Sequence, residues 1–248
     1  MMQLRRLSQI ARRRLKRYAG TRPRLYFPLV RLWGQSAHLL VTPRSDLCIE
    51  GCPRSANSFA VSAFQSAQPQ EMSVAHHTHA AANLLRACAL GVPAVLLIRA
   101  PRSTVISRRA LTRENHARTD REPSRASHLL VEHLRDWLAF YRATRAYVDR
   151  CVVAPFPQVV EDVGAVIQQV NRQFGQFFEV FEHTDASVRR IREGQGYHAL
   201  PNERREAIKE EVRRDFERLT QKPYVQCLLT EAEALYRWYE RQSASSVA

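Results

Sequence analysis

A short β-favouring run, Leu47-Cys48-Ile49, meets Gly51 and Pro53 and is followed at once by Ser55, with Phe59, Val61, Ala63 and Phe64 spaced to line one side of a helix. This strand, tight loop and helix constrain the chain more than any other stretch. Such a loop aims successive backbone N–H groups and the positive end of a helix dipole at one point, where an anionic oxygen is the natural occupant. Arg54 adds a fixed charge with a forked donor, and Ser55, Asn57 and Ser58 add short polar donors. The stretch reads as a P-loop-like phosphate cradle, although not a Walker A loop, because the Gly-Lys-Ser/Thr ending is missing. The alternative is an ordinary strand-to-helix turn with Ser55 as its N-cap.

Strand and helix keep alternating along the chain. Residues 94–98, apolar throughout and bounded by Pro93 and Pro101, read as a buried parallel strand, and Cys151 to Phe156 as another. Helical runs are expected over 80–90, from Ser103 onward, over 128–148 and 161–174, and again over 203–219 and 228–240. The fold class that follows is α/β, a doubly wound and mainly parallel sheet with a helical C-terminal part. Residues 1–44 form a basic helix and an irregular lead-in through Pro28 and Trp33, and 45–248 form the α/β domain. Residues 113–127 are polar and read as an exposed loop or lid.

A formal charge of +14 suggests a nucleic-acid protein until it is placed along the sequence. Residues 1–45 hold 11 of the 38 basic side chains and no acid, so the remainder carries 27 against 24 acids. A phosphate-binding cleft accounts for that small excess, and no specific nucleic acid is expected. Five scattered cysteines without a Cys-x-x-Cys pair argue against a disulfide framework or a zinc knuckle and fit a reducing, cytoplasmic compartment, while the His-x-His pattern of His77 and His79 leaves a metal site as a minor alternative to catalysis. No apolar run approaches the roughly 20 residues of a membrane span. Residues 2–19 place Leu4, Leu7, Ala11, Leu15 and Tyr18 on one stripe among arginines. Three readings stay open for this helix: docking by that stripe on its own domain, contact with an anionic membrane surface or polyanion, and a targeting segment.

Three polar groups fall at the expected carboxyl ends of strands, where ligands of parallel sheets sit: the 54–58 loop, the cluster His76, His77 and His79, and Arg99 with Ser107. An arginine at a strand end and a serine eight residues on converge naturally on one phosphate. Here the chain resembles the sulfotransferases that use 3′-phosphoadenosine 5′-phosphosulfate (PAPS). The family's 5′ loop is similar to Pro53-Arg54-Ser55-Ala56-Asn57-Ser58-Phe59, and its 3′-phosphate motif to Arg99-Ala-Pro-Arg102 running on to Ser107. The resemblance covers residues 45–110 well and 150–175 loosely.

The resemblance implies PAPS as co-substrate, no metal, and a sulfuryl group passed to a hydroxyl or amine of a small-molecule, carbohydrate or lipid acceptor. It implies that Arg54 steadies the leaving phosphate with Ser55, Ala56, Asn57 and Ser58 beside it, that Phe59 stacks on adenine, and that Arg99 and Ser107 hold the 3′ phosphate. His79 becomes the general base, with His77 the alternative two residues away. Ala56, a residue that does not take φ > 0 freely, stands where the family has glycine, and the family's Arg-Lys-Gly loop over the nucleotide has no clear match. Two other classes remain beside it: a non-catalytic nucleotide-binding or membrane-peripheral protein on the same fold, and an ATP-dependent P-loop kinase.

Overall fold

Four short apolar runs form the centre of the computed structural model, which describes residues 2–33, 36–118, 128–194 and 203–245. They are β1 (Leu47–Gly51), β2 (Val74–His76), β3 (Ala94–Ile98) and β4 (Val152–Pro155), all parallel, in the order β2-β1-β3-β4. Strands this apolar need cover on both faces, and alternate side chains supply the two interfaces. Leu47, Ile49, Val95, Leu97 and Val152 meet Val61 and Phe64 of α3 (Asn57–Ala67) and Val166, Ile167 and Val170 of α8 (Val163–Phe174). Cys48, Leu96, Ile98 and Val153 face the other layer. They share that core with Leu84 of α4 (Ala81–Leu90), Val105 of α5 (Pro101–Arg118), Trp137 and Tyr141 of α6 (His128–Thr144), Phe216 of α10 (Glu203–Thr220) and Tyr239 of α11 (Pro223–Ser245). Each large side chain so buried contributes about 1.5–3 kcal/mol, which is what lets a three-residue strand such as β2 persist.

The chain path creates a switch point. After β1 it turns outward through α3 to β2 at the sheet edge, then returns through α4 past β1 to β3. The winding direction reverses between β1 and β3, and the loops leaving their carboxyl ends run to opposite faces, as at the switch points where parallel sheets bind ligands. Gly51 keeps these two strand ends close, since a Cβ there would lie 2.5 Å from the Leu97 carbonyl oxygen. Tyr141 ties them together, donating its hydroxyl to Leu97 O at 2.8 Å and accepting from the Cys52 N–H at 3.4 Å.

The N-terminal elements differ from the sequence reading at α2 and narrow it at α1. Residues expected to be irregular form α2 (Pro23–Trp33), with Pro28 inside it. Pro28 removes one helical hydrogen bond, but it lies on the outer face, and burial of Tyr26 and Phe27 in the core offsets the loss. α1 (Met2–Gly20) is helical as expected, and of the readings left open for it, docking by the apolar stripe does not hold for the stripe residues Leu15 and Tyr18. Leu15 and Tyr18 are 59% and 54% exposed, and the side turned inward carries Arg13 and Arg17. Arg17 pairs with Glu132 and, at 2.9 Å, with Asp136, while Arg13 reaches His133 Nδ1 at 3.2 Å and Asp136 at 3.7 Å. Glu132 and Asp136 are largely buried on α6. Leaving them unpaired costs more than exposing a leucine, so the ion pairs and not the apolar stripe set the helix's rotation.

Of the loop expected over 113–127, residues 113–118 continue α5, with Glu114 buried, and 119–127 lie outside the described residues. Among the described residues no helix is long and apolar enough to cross a membrane.

Candidate functional site

Between β1 and α3 the backbone turns left-handed twice, at Arg54 (φ 76°) and Ala56 (φ 66°). Alanine in place of glycine therefore does not keep position 56 out of that region. The turn is held from both sides, by Ser55 N–H donating to Cys52 O at 3.2 Å and Asn57 Nδ2 donating to the same oxygen at 3.0 Å. Ala56, not Ser55, is the N-cap of α3, and no side chain caps the helix. Its first N–H groups are thus left for a ligand or solvent. Ser55 is drawn inward and fully buried, its Oγ near the Tyr141 hydroxyl but without a hydrogen-bond partner of ordinary geometry.

A left-handed alanine stores strain of about 1–2 kcal/mol. Ala56→Gly is expected to release enough of it to raise the thermal unfolding midpoint by about 2–4 °C, as for a gain near 1 kcal/mol in a chain of this size. Scanning calorimetry checks this, and a lower midpoint would show that position 56 is relaxed.

Arg54 and Arg99 lie against each other at this switch point. Arg99 Nη1 donates to the Arg54 carbonyl oxygen at 3.0 Å, and Arg54 Nε donates to Ser107 Oγ at 3.1 Å. The serine eight residues beyond Arg99 is thus held by the other arginine, while the Arg99 guanidinium lies over the Phe156 ring, 4.0 Å from its centroid. The Arg99 backbone is fixed by Trp137 Nε1, which donates to Arg99 O at 3.1 Å. Among the described residues neither guanidinium has a carboxylate within ion-pair distance. The two cations are only partly exposed and repel. Burial, then Arg54, lowers the Arg99 guanidinium to about 10, and burial, then Arg205, lowers that of Arg54.

Arg205 went unnoticed in the sequence because it sits in a charged run that reads as a solvated face. It is buried on α10, donating Nε to Glu114 Oε2 at 2.7 Å, and its charge reaches Arg54. Phe59 lies half-buried on the α3 and α8 side of the sheet, its ring 5.8 Å from that of His183.

The histidines are arranged by Glu50, a residue the sequence reading also passed over. A carboxylate inside an otherwise apolar strand is the signal that marks it. Its Oε1 accepts from Thr78 N–H at 3.0 Å, Thr78 Oγ1 at 2.7 Å and Asn83 Nδ2 at 3.0 Å, and its Oε2 from His79 N–H at 3.0 Å. Burial pushes the Glu50 carboxyl up to about 7 against the pull of these donors. The bonds fold residues 77–79 over the end of β1, with His77 and His79 both left-handed at φ 55° and 51°.

His79 Nδ1–H then donates to Gly51 O at 2.9 Å, which leaves the lone pair on Nε2. Among the described residues that nitrogen makes no hydrogen bond. His77 has neither nitrogen to spare, since Nε2 meets Ser58 Oγ at 2.9 Å and Nδ1 meets His76 Nδ1 at 2.6 Å. Burial holds the His79 imidazole down at about 4, with the Gly51 carbonyl opposing and His77, Arg108 and Lys16 reinforcing the fall. Among the described residues no group of three or more His, Cys, Asp or Glu is placed to hold a metal ion. The cradle, the paired arginines and the histidine turn share one rim, formed by the carboxyl ends of β1, β2 and β3. Comparison of the chain with protein-family models, curated proteins and solved structures finds no match.

Proposed function

We propose that the chain is a PAPS-dependent sulfotransferase acting on a hydroxyl or amine acceptor. The observation that carries this reading is the pair Arg54 and Arg99, two partly buried guanidiniums in contact at one switch point, neither with a carboxylate within ion-pair distance among the described residues, although the charge of Glu114 reaches Arg54. A site built this way lowers its own stability and recovers it when a polyanion with two separated phosphates binds. In the proposed reaction the acceptor oxygen or nitrogen attacks sulfur, the bond from sulfur to the 5′-phosphate oxygen breaks, and the acceptor's proton passes to His79 Nε2. Arg54 and the uncapped N–H groups of α3 stabilise charge building on the departing phosphate, while Arg99 engages the 3′ phosphate. The work is positioning and electrostatics.

His79→Ala is expected to abolish transfer from labelled PAPS in an acceptor screen spanning carbohydrate, lipid, phenolic and peptide hydroxyls, with nucleotide binding retained. His77→Ala should leave part of the rate. The base must be neutral to act, so kcat/KM is expected to hold level as pH falls and to drop only toward about 4, where the buried imidazole takes its proton. An acid limb near histidine's usual value of about 6.5 would assign the base elsewhere.

A second reading, a nucleotide-binding protein without turnover, is favoured by one feature. An imidazole held near 4 is a weak base at neutral pH. Tight nucleotide binding with no transfer to any acceptor class would select it.

A further inference from the structure

We propose that the outer face of α1 and α2 docks on the surface of an anionic lipid bilayer. An amphipathic helix that only completes a core turns its apolar stripe inward. α1 does the reverse, held by Arg13 and Arg17 on α6, so that Ala11, Leu15 and Tyr18 are exposed beside Arg12, Arg14 and Lys16. α2 continues the pattern. Its inner side buries Tyr26 and Phe27, and its outer side carries Arg24, Leu25, Pro28, Arg31 and Leu32, with Leu25 43% and Leu32 80% exposed. At the corner between the helices Arg22 stacks over the Tyr18 ring, 3.6 Å from its centroid.

No acid occurs anywhere in residues 1–45. Exposed leucines interleaved with arginines and free of carboxylates are complementary to one environment, acyl chains beneath anionic headgroups. A nucleic acid would use the cations and gain nothing from the leucines. A second copy meeting this face would set cation against cation.

The test is sedimentation of the full chain with vesicles of phosphatidylcholine alone and with phosphatidylserine added. Binding is expected with the anionic vesicles only and should weaken as salt rises. The double variant Leu25→Glu, Leu32→Glu and, separately, Arg12→Glu with Arg14→Glu are each expected to lower the bound fraction at least about tenfold. Neither pair belongs to the residues assigned to the nucleotide, so a retained thermal shift with adenosine 3′,5′-bisphosphate verifies that the variants are folded. That shift depends on the proposed nucleotide site and the sedimentation does not, so the two ideas fail separately. The proposal is overturned if the chain ignores anionic vesicles, if the leucine variant binds them undiminished, which would mark a simple polyanion contact, or if the same variants instead abolish self-association of a chain that binds no vesicles.

Discussion

Arg54→Ala is expected to slow sulfuryl transfer by at least about a hundredfold, as for removal of one donor aimed at developing negative charge. The free protein should respond in the opposite direction. Burial and the neighbouring Arg205 already weigh against the Arg54 guanidinium, and Arg54 in turn weighs against Arg99. Removing it relieves that repulsion, so the thermal midpoint of unliganded Arg54→Ala should equal or exceed that of the wild type, while the rise expected with nucleotide should disappear. A residue kept for packing alone would show the reverse pattern, lower stability with ligand response intact. Scanning calorimetry with and without adenosine 3′,5′-bisphosphate separates the two.

Glu50→Ala is expected to cost about 3 kcal/mol or more, because it strands the buried N–H groups of Thr78 and His79 and the amide of Asn83 together. Against a net stability of about 5–15 kcal/mol that is a large share. The His77-Thr78-His79 turn should loosen first, so transfer should fall further than nucleotide binding. Glu50→Gln gives a milder and more diagnostic result. The folded-state carboxyl stands raised to about 7 from an ordinary value of 4.5. Between those values the unfolded chain has released its proton and the folded chain has not, so this group lowers stability as pH rises, by up to about 1.4 kcal/mol per unit. Denaturant titrations from acid to neutral pH should show wild type losing ground to Glu50→Gln across that window. Parallel curves would mean that Glu50 is ionised throughout.

How much of this was readable in advance follows from the range of each interaction. The loop from Cys52 to Phe59 and the Arg99 to Ser107 spacing are local patterns, and the sheet order places both at the switch between β1 and β3. The details that escaped are set by contacts distant in sequence. Nothing near Arg17 reveals Glu132 and Asp136, 115 and 119 residues away, which turn α1 against its apolar stripe. Arg205 and Glu114, 91 residues apart, form a buried pair that neither charged run announces. Pro28 argued for an irregular segment, but core burial of Tyr26 and Phe27 decides the matter. Glu50 alone was visible and unread, as a charge in a strand whose five residues are all buried.

The central claim is that two anion pockets on separate strand ends lie one adenosine bisphosphate apart. Isothermal titration of the wild-type chain with adenosine 3′,5′-bisphosphate and with adenosine 5′-phosphate tests it most directly. Micromolar binding of the bisphosphate is expected, at least about thirtyfold tighter than the monophosphate, the discrimination of one charged hydrogen-bonding group. Arg99→Ala should bring the two together. Equal affinity of the wild type for both nucleotides would contradict the claim.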